Sequence, residues 1–145
     1  MKQFTRQKGN ASTTELNLDF GAAKVARVLE PGDYRLRIES ASVIQKNQNV
    51  LVALDLIEAE SGGRIDGRPL WIDGPNAGTG QIAMENQHRI AQLLAIARLP
   101  TEGNVGTLIP QLTGLEFDAR LVLAIDSRSG RTYNAIAEIY VEDAP

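Results

Sequence analysis

The segment from Thr79 to Arg98 limits the fold more than any other, because it alone sustains a helical period. Ile90, Leu93, Leu94 and Ala97 follow the i, i+3, i+4, i+7 spacing that gathers apolar side chains on one face, and Ala83 extends that stripe. Glu85, Gln87, Arg89, Gln92 and Arg98 fall mostly elsewhere. Gly78-Thr79-Gly80 predicts a break with a hydroxyl N-cap, Arg98 suits the negative end of the helix dipole, and Pro100 stops the run.

Strand-like runs flank this helix, three before it and two after. Glu30-Pro31-Gly32-Asp33 signals a turn, and Tyr34 to Gln45 follows with Tyr34, Leu36 and Ile38 alternating against Arg35, Arg37 and Glu39. Lys46 to Asn49 is a polar hairpin connection. Val50 to Ala59 is a second strand, with Val52, Leu54 and Leu56 on the expected core face. Ser61-Gly62-Gly63 turns the chain, and Arg68 to Asp73 puts Leu70 and Ile72 on one face and Trp71 on the other. Beyond the helix, Thr101 to Gly114 holds turn formers and a short helical turn. Leu115 to Asp126 then sets Phe117, Ala119, Leu121, Leu123 and Ile125 against Asp118, Arg120 and Asp126. Ser127 to Gly130 is a hairpin loop, and Thr132 to Val141 is the last strand.

The order β-β-β-α-β-β is that of an OB-fold-like five-stranded barrel, an all-β architecture whose main helix plugs the gap between the third and fourth strands. Closure is expected because open strand edges invite aggregation. A split sheet packed by one helix is the competing architecture. Residues 1–28, with Lys2, Arg6, Lys8, Lys24 and Arg27 against Glu15 and Asp19, read as a flexible basic arm, and residues 29–145 as the barrel domain.

Several function classes find no support. A chain of 145 residues without cysteine has no disulfide framework, zinc-thiolate site or thiol nucleophile. The single histidine, His88, sits among polar helix residues with no serine or acid at a triad spacing, and Asp55, Glu58, Glu60, Asp66 and Asp73 are scattered. Neither catalytic residues, a metal site nor a cofactor are therefore expected. Gly74 to Gly80 lacks the Lys-Ser/Thr ending of a nucleotide-binding loop. No apolar run approaches the ~20 residues of a membrane span and no signal peptide is visible, so a cytoplasmic protein with no membrane partner is expected.

A binding groove is the stronger reading. The net charge of −3 argues against uniform coating of nucleic acid but leaves room for a local basic face. Single strands are held by aromatic platforms for bases and basic groups for phosphates. Trp71 faces outward if Leu70 and Ile72 face the core, and Tyr34 or Tyr133 would assist it. Arg35, Arg37 and Arg120 share outward parity, with pairing to Glu39, Asp118 and Glu138 as the alternative. Lys46 and Arg128 stand in the hairpin loops that flank the groove of such a barrel, and Arg64, Arg68 and Arg131 add charge at strand ends. These residues predict a non-enzymatic, sequence-tolerant single-stranded DNA-binding protein. The alternative is a protein–protein adaptor or virion component, with Leu51, Trp71, Val122 and Ile136 as an apolar interface. Apolar residues on both faces of strands two, four and five point to a homo-oligomer.

Leu16-Asn17-Leu18-Asp19-Phe20, Pro31-Gly32-Asp33-Tyr34 and Gly67-Arg68-Pro69-Leu70-Trp71 resemble a family of small phage-encoded proteins, formerly of unknown function, whose genes lie near recombination and replication genes. The resemblance covers roughly residues 16 to 100. It implies a phage or prophage protein of DNA replication or recombination in the host bacterial cytoplasm, with single-stranded DNA and phage recombination or replication proteins as partners. It brings no catalytic residues.

Overall fold

The computed structural model describes residues 6–8, 14–15, 26–74 and 80–141. Two short strands, β1 (Arg6–Lys8) and β2 (Thr14–Glu15), pair antiparallel. The rest of the expected basic arm up to residue 25 lies outside the described residues. Its last part is tied to the body of the protein: the Arg27 N–H donates to the Arg64 carbonyl at 2.8 Å, and the Arg27 carbonyl accepts from Asp66 N–H at 2.8 Å.

The five expected strands form one antiparallel sheet. They are β3 (Gly32–Lys46), β4 (Asn49–Glu58), β5 (Leu70–Asp73), β6 (Glu116–Ile125) and β7 (Thr132–Tyr140), in the spatial order β5-β4-β3-β6-β7. The 15-residue β3 serves two neighbours, pairing with β6 over Gly32 to Arg37 and with β4 from Leu36 to Lys46. Register irregularities between Ile38 and Ser40, Val50 and Leu51, and Arg120 and Leu121 bend the sheet.

The main helix, α1 (Gln81–Ile96), begins at Gly80, which takes φ 92° without any side-chain cap. Thr79, expected to supply a hydroxyl cap, lies outside the described residues. Ala83, Ile90, Leu93 and Leu94 are buried, the stripe that the spacing predicts. They meet Leu36 and Ile38 of β3, Val52 of β4, Ile72 of β5, and Phe117, Ala119 and Leu121 of β6 in one core. Burying each such leucine or isoleucine stabilises the fold by about 1.5–3 kcal/mol, which holds a marginal 16-residue helix in place. A short helix α2 (Val105–Leu108) and a 3-10 turn (Ile109–Leu112) close one end of that core with Leu108, Ile109 and Leu112.

Two expectations need correction. The sheet is open: among the described residues no ladder joins β5 to β7. With only four residues, β5 offers a short edge, and α1 occupies the gap where closure would fall. Side chains of α1 satisfy both edges, Asn86 Nδ2 donating to the Trp71 carbonyl at 3.0 Å, Gln87 Nε2 to the Ile72 carbonyl, and Arg89 Nη2 to the Ala137 carbonyl at 3.4 Å. Nearby, Asn134 N–H of β7 donates to the Asp66 carbonyl at 2.8 Å. The buried Asn134 amide also holds both backbone groups of Leu29, at 2.8 and 3.0 Å. The second correction concerns β6. Phe117, Ala119 and Leu121 are buried as expected, but Leu123 and Ile125 are 47% and 71% exposed, because the β6–β7 hairpin runs on past the core.

Candidate functional site

Two hairpins and the end of β5 build a cleft. In the β3–β4 connection Asn47 and Gln48 take φ 51° and 67°, the left-handed pair of a type I′ turn whose twist matches the flanking strands. Asn49, buried, donates its amide to the Lys46 and Asn47 carbonyls at 3.1 and 3.2 Å. Gly74, at φ 112°, presses on this turn so closely that a Cβ there would stand 2.5 Å from Asn49 Cα. Only glycine permits that contact, which clamps the end of β5 and Trp71 with it against the Lys46 hairpin.

The β6–β7 loop is organised by Asp126. Its Oδ1 accepts from Arg128 N–H at 2.8 Å and Ser129 N–H at 3.3 Å, and its Oδ2 faces Arg68 Nε at 3.2 Å. The Arg128 amide first, then the Arg68 guanidinium and the Ser129 amide, hold its carboxyl below the usual aspartate range. Arg68 also binds Asp66 Oδ1 at 2.8 Å, and hydrogen bonds to Asp66 and Asp126 reinforce its charge. Its guanidinium lies 4.7 Å from the centroid of the Tyr133 ring, a cation–π contact that orients the aromatic face.

The resulting cleft, about 760 Å³, is bordered by Lys46, Arg68, Trp71, Ile125, Arg128 and Tyr133. A second cleft of about 570 Å³ shares the Arg68, Pro69, Trp71, Ser127 and Tyr133 wall and continues between β5, β7 and α1. Three cations and one carboxylate, Asp126, face the first cleft, against the negative balance of the whole chain.

Partnering sorts the remaining cations. Arg35 binds Asp118 at 3.1 Å and Glu116 at 3.5 Å, Arg37 binds Glu116 at 3.2 Å, and Arg120 binds Glu138 at 3.4 Å. Arg35–Asp118, Arg37–Glu116 and Arg120–Glu138 stand directly across a ladder, the arrangement in which opposite charges stabilise a sheet, and Arg35–Glu116 is a diagonal contact. Arg27 and Arg64 pair with Glu58 and Asp55. Lys46, Arg128 and Arg131 have no ion-pair partner among the described residues, and all three stand in or beside the two hairpin loops. Arg89 and Arg98, on and just beyond α1, also form no ion pair among the described residues.

Of the site residues expected from sequence, the structure brings Trp71, Tyr133, Lys46 and Arg128 together around one cleft. It does not bring Arg35, Arg37 and Arg120 there. Tyr34 is occupied with the Glu30 carbonyl at 2.6 Å. Arg68, expected only to add charge at a strand end, lies on the wall of this cleft beside Trp71. Among the apolar residues considered for a partner surface, Leu51 is buried and Ile136 packs on the core. His88 is exposed, and no cluster of three or more histidine or acidic side chains gathers among the described residues. No helix of the described residues is long and apolar enough to cross a membrane. No protein-family model matches this chain, and no curated protein matches it either.

Proposed function

We propose that this chain is a non-enzymatic, sequence-tolerant binder of single-stranded DNA that holds the strand in the cleft between its two hairpins. The observation that carries this reading is the convergence of Lys46 and Arg128, cations without an ion-pair partner among the described residues, on the Trp71 and Tyr133 rings, while Arg35, Arg37 and Arg120 elsewhere on the sheet are neutralised. Bases stack on the rings and phosphates meet the cations, a combination indifferent to sequence because every base has a π-face. The sheet order supports an OB-type reading, with α1 standing in for closure. In that fold the face of the second and third strands and the first and last hairpin loops take oligonucleotides, and Trp71, Lys46 and Arg128 occupy those places here. On the resemblance of residues 16 to 100 to small phage-encoded proteins, this reading takes the activity to serve phage DNA replication or recombination in the host cytoplasm.

Trp71 is the only tryptophan, so its fluorescence reports directly on the cleft. Titration with a thymine oligonucleotide should quench it saturably at low salt and more weakly at high salt, and Trp71→Ala should weaken binding by ~1–3 kcal/mol. A flat trace at both salts, with no binding by fluorescence anisotropy of a labelled strand, refutes the proposal.

A further inference from the structure

Arg89 is a cation that the fold uses incompletely. It sits half-buried on α1 between the β5 and β7 edges, on the wall of the second cleft. Its Nη2 reaches the Ala137 carbonyl at 3.4 Å, but its Nε is buried and has no acceptor. The neighbouring groups are already engaged: Asn86 and Gln87 donate to β5 carbonyls, Glu85 accepts from Gln81, and Glu138 pairs with Arg120. A buried donor without an acceptor is costly, and the rest of this guanidinium, only half-buried, stays open to an anion from the cleft. Leu54, Leu56, Leu70 and Ile136 line the same cleft, so an anion there would be partly shielded from water and its contact with Arg89 strengthened.

The geometry points to a phosphate subsite at Arg89. A single strand stacked on Trp71 continues along the Arg68–Tyr133 wall into the second cleft and sets one backbone phosphate on the Arg89 guanidinium. This rests on the strand-binding reading above and lengthens its path, from the hairpin loops to the β7 side of α1.

The test compares Arg89→Gln with Arg98→Gln, which removes a cation that has no ion-pair partner among the described residues and lines neither cleft. Binding of thymine oligonucleotides of increasing length is followed by anisotropy across a salt series. Arg89→Gln should lower the slope of log affinity against log salt by about 0.7, the share of one single-strand phosphate, and shorten the strand that gains full affinity. Arg98→Gln should change neither. A second measurement uses the unmodified chain, in case Arg89→Gln unfolds: the Arg89 Nε–Hε NMR signal should move on adding the oligonucleotide while that of Arg98 stays. Quenching of Trp71 with an unchanged slope in Arg89→Gln, or with a stationary Arg89 signal, overturns the subsite and leaves strand binding standing. An unmodified chain that binds no oligonucleotide overturns both.

Discussion

Exposure alone would rank Arg35 and Arg37 with the cleft cations, since their side chains are 53% and 40% exposed. Partnering ranks them differently, and the difference is measurable. A phosphate that approached Arg35 would also meet the Asp118 and Glu116 carboxylates, so the field it feels is close to neutral. The Lys46 and Arg128 side chains have no ion-pair partner among the described residues, so on the strand-binding proposal counterions released there drive binding. Lys46→Gln with Arg128→Gln removes two such contacts. The slope of log affinity against log salt should therefore fall by about 1.4, at about 0.7 per single-strand phosphate. Between 50 and 200 mM salt, that change amounts to about a sevenfold smaller loss of affinity in the double variant than in the parent. Arg35→Gln with Arg37→Gln, equal in formal charge, should leave the slope where it was. Anisotropy of a labelled thymine oligonucleotide over a salt series reads both, and unfolding curves confirm that each variant is folded. An equal fall in both variants would refute the argument that ion pairing sorts the cations. A larger fall for the Arg35/Arg37 variant would move the strand to the β3–β6 face.

Three further outcomes test the fold and the loops. Arg98, at φ 60°, closes α1 in a Schellman arrangement, with its own N–H on the Ala95 carbonyl and Leu99 N–H on that of Leu94. Arg98→Gly should therefore raise stability by about 0.5–1 kcal/mol in chemical denaturation, relieving left-handed strain at some entropic cost. Asn134→Ala strands the Leu29 N–H and carbonyl and should cost about 2–4 kcal/mol, read by thermal unfolding. Asp126 has a lowered carboxyl pKa in the folded chain, so its contribution is complete above the unfolded aspartate value and disappears as pH falls through the lower folded value. Protection of the Arg128 and Ser129 amides, taken relative to their intrinsic exchange rates, should fall over that acid range. Unchanged protection there would show that Asp126 does not hold the loop.

What the sequence conveys and what it conceals divide along a physical line. Alternation at Leu36 and Ile38, the stripe from Ala83 to Leu94, and the turn residues between runs are local signals, and the strands and α1 stand where they point. The open sheet was not legible, because closure depends on whether the short β5 meets β7 or α1, a contest settled by side-chain amides and not by strand pattern. Asp118 and Glu138 are visible in the sequence as candidate partners for the outward arginines, but which arginine each meets is a matter of register. Arg35 faces Asp118 in the continuous β3–β6 register, and Arg120 faces Glu138 just before the β6–β7 register shifts. Arg68 illustrates the longest reach: its partner Asp126 lies 58 residues away, and the pair ties the β5 side of the cleft to the last hairpin. The same tie explains why Trp71 and Tyr133, far apart in the chain, face one cleft. The arginine that clamps the loop also stacks on the tyrosine, so loss of the Asp126 contact should disturb the aromatic wall as well as the loop. Fold and site are therefore coupled through one guanidinium that no single stretch of sequence could have singled out.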